Sequence, residues 1–169
     1  MRSKKKYTNL NFTKRVDHEA GHASSKHPPE PAVCGTCQAY YSKGHWSVEG
    51  PKADPFEKVT PRVTICPACE QINDGIPAGF VYLAGGFIDA HFEEIENLIR
   101  NEEKKLIQTN PLSRIMEMGK SKSGVTVKTT NEHLAQHLGR ALKKAYGGNV
   151  RYDFSHENKL ARVYWNRDN

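Results

Sequence analysis

The sequence predicts an α+β chain: a small four-cysteine module, then an amphipathic helix, then a compact β-α-β-β unit. Three observations carry that prediction. Cys34-Gly-Thr-Cys37 and Cys66-Pro-Ala-Cys69 hold the only cysteines of the chain, with 28 residues between the pairs. Apolar residues Ile88, Phe92, Ile95, Leu98, Ile99 and Leu106 recur at helical period between Phe87 and Leu106. The last fifty residues pass from strand alternation to a helical stripe and back to alternation.

Composition comes first because it bounds the partners. The chain has 169 residues, 37% of them hydrophobic, and a formal net charge of +6; its mean hydropathy is −0.73. Such values favour small domains over one large core, and the charge favours a polyanionic partner. No apolar run reaches the 18 or more residues needed to span a bilayer, and the charged N-terminus lacks the apolar core of a signal peptide. A soluble protein of the cytoplasm is expected, with no membrane and no small-molecule substrate among its partners.

Residues 1–31 read as a disordered basic arm with seven Lys and Arg against three acids. Lys4, Lys5, Lys6, Lys14 and Arg15 are its candidate phosphate contacts. The competing reading is a solubilising tail.

Residues 32–84 read as a zinc-ribbon/treble-clef-like module. Two Cys-x-x-Cys turns each offer two thiolates, so Cys34, Cys37, Cys66 and Cys69 make a four-sulfur tetrahedral site for structural Zn2+. Gly35 and Pro67 suit tight knuckles, and the long gap leaves room for a hairpin. The segment has few large aliphatics, so bound metal supplies the stability that its core lacks. Disulfides would need an oxidising compartment. A catalytic dithiol would want a pair opening a long helix, whereas Asn73-Asp74-Gly75-Ile76-Pro77 breaks a helix soon after Cys66. Tyr40, Tyr41 and Trp46 follow the first knuckle as core aromatics or as base-stacking rings; Lys43 and His45 between them are the expected exposed contacts.

Residues 85–119 read as a helical connector. Gly85-Gly86 is a hinge, the helix from Phe87 follows, and Asn110-Pro111 stops it. Its outer face is mainly acidic and unsuited to RNA. The spacing of Leu112, Ile115 and Met116 predicts a second short helix.

Residues 120–169 read as the β-α-β-β unit. Gly124–Lys128 alternates as a strand. Thr129 and Glu132 fit a capping box, Leu134, Leu138 and Leu142 make the buried stripe, and Gly147-Gly148 ends the helix. Two alternating strands close the chain. With Val125, Val127, Tyr152, Val163 and Trp165 turned to the helix, the other face shows Thr126, Lys128, Arg151, Arg162 and Tyr164. Lys128, Arg151 and Arg162 are thus candidate nucleic-acid contacts, unless the helix from Phe87 covers them. There is no P-loop, dinucleotide fingerprint or His-Glu-x-x-His, and His133 and His137 lack a third ligand, so no catalytic residues are expected.

Tyr41-x-Lys43-Gly44-x-Trp46, Cys66-Pro67-Ala68-Cys69, Pro77-Ala78-Gly79, Asn97 to Glu103 and Pro111-Leu112-x-Arg114-Ile115-Met116, together with the first cysteine pair, resemble a family of small bacterial zinc-ribbon-like proteins. The run from Gly124 into His133-Leu134-Ala135 is also distantly similar to the N-terminal part of the archaeal and eukaryotic large-ribosomal-subunit nuclear export adaptor. That adaptor carries more cysteine pairs than the two here. What the resemblance implies is association with the ribosome, through rRNA and its ribosomal proteins. The sequence therefore supports a zinc-stabilised, non-catalytic RNA-binding protein acting in ribosome assembly, hibernation or quality control. A zinc-ribbon protein–protein adaptor and a thiol-redox or zinc-sensing regulator are the alternatives.

Overall fold

The computed structural model describes residues 27–50, 59–155, 157 and 159–168, and the fold is α+β, with three helices and two mixed sheets. The first sheet is small. Strands β1 (Ala32–Cys34), β2 (Tyr40–Ser42), β3 (His45–Ser47) and β4 (Arg62–Thr64) lie in the order β3-β2-β1-β4. Only β1 and β4 run parallel. The β2–β3 hairpin turns through Lys43 and Gly44, both at positive φ (52° and 78°), as a tight hairpin demands. Their backbone N–H groups donate to the Glu30 carboxylate at 2.9 and 2.8 Å, which holds that conformation. Helix α1 (Pro67–Asp74) follows β4 and ends on Gly75 in the left-handed conformation.

The second sheet has five strands: β5 (Gly79–Ala84), β6 (Ile115–Ser121), β7 (Gly124–Thr129), β8 (Asn149–Ser155) and β9 (Leu160–Asn166), in the order β6-β7-β5-β9-β8. Helix α2 (Phe87–Thr109) connects β5 to β6, and α3 (Glu132–Tyr146) connects β7 to β8. The topology is a split β-α-β arrangement whose last element is a hairpin, β8–β9, so that β9 lies parallel to β5. Both helices bury against one sheet face. Ile88, Ile95 and Ile99 of α2 and Leu134, Leu138 and Leu142 of α3 share a core with Val81, Leu83, Val125, Val127, Val163 and Trp165. Helix α3 approaches β9 closely enough that a Cβ on Gly139 would stand 2.5 Å from Val163 Cγ1.

Four sequence expectations change. Gly79–Ala84, read as the end of the cysteine module, is the centre of the large sheet. Residues 115–121 form strand β6 rather than a helix, because they pair with β7 across a hairpin. The helix cap is Asn131, whose side chain accepts from Leu134 N, while Thr129 is still a buried strand residue. The helix from Phe87 does not cover the cationic sheet face; it lies beside α3 on the opposite one. The β-α-β-β unit is thereby the second half of a larger seven-element domain.

Candidate metal centre and open sheet face

The cysteines are positioned by two local devices. Cys34 ends β1 and opens a turn in which Gln38 N donates to Cys34 O, so the first pair sits on a knuckle between β1 and β2. Cys66 is the N-cap of α1, with Pro67 at the first helical position, so the second pair sits on the first turn of a helix. The parallel pairing of Cys34 with Thr64 brings the two devices together. The result is one cluster in which the four sulfurs lie within 4.8 Å of one another. A metal bonded at about 2.3 Å to four sulfurs in a tetrahedron separates them by about 3.8 Å, and Cys37 Sγ is 3.6 Å from Cys66 Sγ. The donor set fits a four-coordinate metal ion.

Backbone donors complete the site. Cys66 N points to Cys34 Sγ at 3.3 Å and Cys69 N to Cys66 Sγ at 3.5 Å. Burial pushes the Cys34 thiol up, but the backbone N–H groups of Cys37, Cys66 and Thr36 outweigh it and bring it down to about 6. Burial pushes Cys66 strongly up and Cys69 up to about 11. Four thiolates in this space need a cation among them. Cys34 and Cys66 are 0% exposed and Cys69 is 4% exposed, whereas Cys37 is half-buried, so three of the four sulfurs are not offered to solvent as nucleophiles. Ala39, Ala68, Trp46 and Leu112 pack round the cluster. Tyr41 is buried and its ring lies 5.2 Å from that of Trp46, so both belong to the module's interior.

The predicted nucleic-acid contacts fall into three places. Lys4, Lys5, Lys6, Lys14 and Arg15 lie outside the described residues. Lys43 and His45 are exposed on the β2–β3 hairpin. Lys128, Arg151 and Arg162 come together on the helix-free face of the large sheet, where pairing register sets two complete rows. One runs Glu117, Lys128, Phe80, Arg162, Asp153; the next runs Gly119, Thr126, Tyr82, Tyr164, Arg151. Phe80 and Tyr82 stack at 5.9 Å with planes 1° apart, Tyr82 and Tyr164 stack at 5.1 Å, and the Arg151 guanidinium sits 4.4 Å over Tyr164. Lys128 pairs with Glu117 at 2.6 Å and Arg151 with Asp153 at 3.3 Å. Phe80 and Tyr82 were missed by sequence reasoning. The signal was present in Gly79–Ala84, where aromatic and aliphatic residues alternate, but both classes are apolar.

His137, one of the two histidines without a third ligand, is bonded to Glu102 of α2 at 2.6 Å. Among the described residues no helix is long and apolar enough to cross a membrane. Comparison with protein-family models, curated proteins and solved structures finds no match to this chain. The fold and site therefore define it as an α+β protein with a buried four-cysteine cluster.

Proposed function

We propose that this chain is a non-catalytic RNA-binding protein, stabilised by a structural zinc ion, whose partner is the ribosome in the cytoplasm. The observation that carries the reading is the helix-free sheet face, where Lys128, Arg151 and Arg162 surround three stacked aromatic rings. Cations for phosphate and rings for bases are the two components of RNA recognition. The net charge of +6 supports the same partner.

Zinc is favoured by four sulfur donors gathered within 4.8 Å of one another. A knuckle, a hairpin and a helix-borne second pair, in that order, support a treble-clef-like module. Four sulfurs leave no coordination position for water, so the role assigned to the metal is to hold the module. The exposed Lys43 and His45 would add contacts from the hairpin, and the arm residues Lys4 to Lys6, Lys14 and Arg15 would add salt-sensitive ones.

The test is sedimentation of native lysate through sucrose at low and moderate salt. The protein is expected with 50S or 70S particles at low salt and released from them as salt rises. A protein that stays at the top of the gradient at both salts overturns the ribosome reading. A second reading, a protein–protein adaptor, has one observation in its favour: Val63 and Ile65, on and just after the edge strand β4, are 76% and 53% exposed.

A further inference from the structure

We infer that the open face of the five-stranded sheet binds an unpaired segment of RNA, stacking its bases on the Phe80–Tyr82–Tyr164 column; this rests on the RNA-binding reading and adds the strandedness and the path. Three adjacent aromatic rings at the centre of a sheet normally lie under a helix. Here both helices use the other face, and Phe80, Tyr82 and Tyr164 keep intermediate exposure. The rings stand parallel, with centroids 5.1 and 5.9 Å apart, and Arg151 caps one end. A flat, π-bearing, weakly hydrated group is the natural extension of such a column. A column of three rings suits about two or three bases.

Charge placement selects the rest of the ligand and its direction. Phe80 lies directly between Lys128 and Arg162 in the sheet register. Both carboxylates of that row, Glu117 and Asp153, are on the edge strands β6 and β8. Along that row a polyanion thus meets acids at both edges and cations in the middle. The favoured path runs along β5 and β9, not across the sheet. Asp153 is bonded to Arg151, and no ion pair with a carboxylate engages Arg162 among the described residues. Arg162 is therefore the cation available to a phosphate beside the bases stacked at Phe80. A duplex cannot use this surface fully, since its bases are stacked within the helix and only phosphates and sugars reach the sheet.

The experiment is fluorescence anisotropy of the full-length, zinc-loaded protein with two labelled RNAs: an unstructured 10-mer and a blunt duplex of the same length. The wild type should bind the single strand at least about ten-fold more tightly than the duplex. Tyr82→Leu and Tyr164→Leu, which keep an apolar side chain without a π face, should each lose on the order of ten-fold for the single strand only. Tyr82→Phe should bind as the wild type does. Should a Leu variant fail to fold, photo-crosslinking of a 4-thiouridine 10-mer to the wild type provides the readout, with adducts expected at residues 80–82 or 164. If the RNAs bind but the Leu variants match the wild type, or all adducts map elsewhere, stacking on this face is overturned and the RNA reading survives. If neither RNA binds, both are overturned.

Discussion

Glu102 illustrates what a single side chain does once two helices are packed. In sequence it belongs to a run of charged residues on a helix face. In the fold its carboxylate is only 12% exposed, accepting from Lys105 at 2.5 Å on its own helix and meeting His137 at 2.6 Å on α3. The hydrogen bonds from Lys105 and then His137 hold the carboxyl below its ordinary value of 4.5, against the opposing effect of burial. A carboxylate depressed in the folded state contributes stability that is complete above the unfolded value and is lost as pH falls through the folded one. Glu102→Gln should therefore cost about 1–2 kcal/mol at neutral pH. The cost should shrink toward zero below the carboxylate range. Urea titrations of both proteins at pH 7 and in steps down to about pH 2.5 check this, with metal loss common to the two. A cost independent of pH would mean that shape, not charge, is what Gln disturbs. At this scale the cysteines were legible, because Cys-x-x-Cys is local chemistry. The Glu102–His137 tie was not, because its partners lie 35 positions apart and no local pattern records that separation.

Elements succeeded or failed in the sequence reading according to whether their own pattern decided them. The stripe of α3 is one-sided and was found. β5 was not: Val81 and Leu83 fill the core while Phe80 and Tyr82 line the open face, so both faces are apolar and period-2 contrast vanishes. β6 was misread because Leu112, Ile115 and Met116 have helical spacing. Tertiary bonds decide otherwise, with Arg114 N donating to Thr130 Oγ1 at 2.9 Å and Thr130 Oγ1 donating to Leu112 O at 2.6 Å. Those bonds also explain why the cap moves to Asn131. Thr129 and Thr130 are committed to β7 and to the segment before β6, so the first free residue caps the helix. Its Oδ1 accepts from Leu134 N at 2.9 Å and its Nδ2 donates to Ser113 Oγ at 2.9 Å. Asn131→Ala should lose about 1–2 kcal/mol of stability, and Asn131→Asp should lose less because it retains the cap. Urea midpoints that fall at constant slope would report the change. Equal losses in the two variants would assign the effect to the Ser113 bond.

At the scale of the whole molecule, the described residues form two cores of unequal size. The large one joins both long helices to the five-stranded sheet. The small one consists of Cys34, Ala39, Cys66, Ala68 and Cys69, with Cys37, Trp46 and Leu112 packed against it. So little apolar surface offsets little of the chain entropy of the small sheet, and under the proposed metal-binding reading an ion worth on the order of 10 kcal/mol would make up the difference. The seam between the cores is narrow: Leu112 reaches into the cysteine cluster, and Gln71 Nε2 donates to Thr130 O at 3.0 Å. Removing the metal with a chelator should then release the amides of β1 to β4 and α1 to rapid hydrogen exchange. The centre of β5, β7 and β9 should keep its protection. Only the ends of the large domain that touch the seam, near Leu112 and Thr130, should loosen. Exchange measured by mass spectrometry before and after chelation distinguishes three behaviours. A small sheet still protected without metal would show that packing alone holds it. Loss of protection everywhere would show that the two cores unfold as one unit. Loss confined to the small sheet and the seam is the expected pattern, because the two clusters share no buried residue and the larger core is complete without the metal.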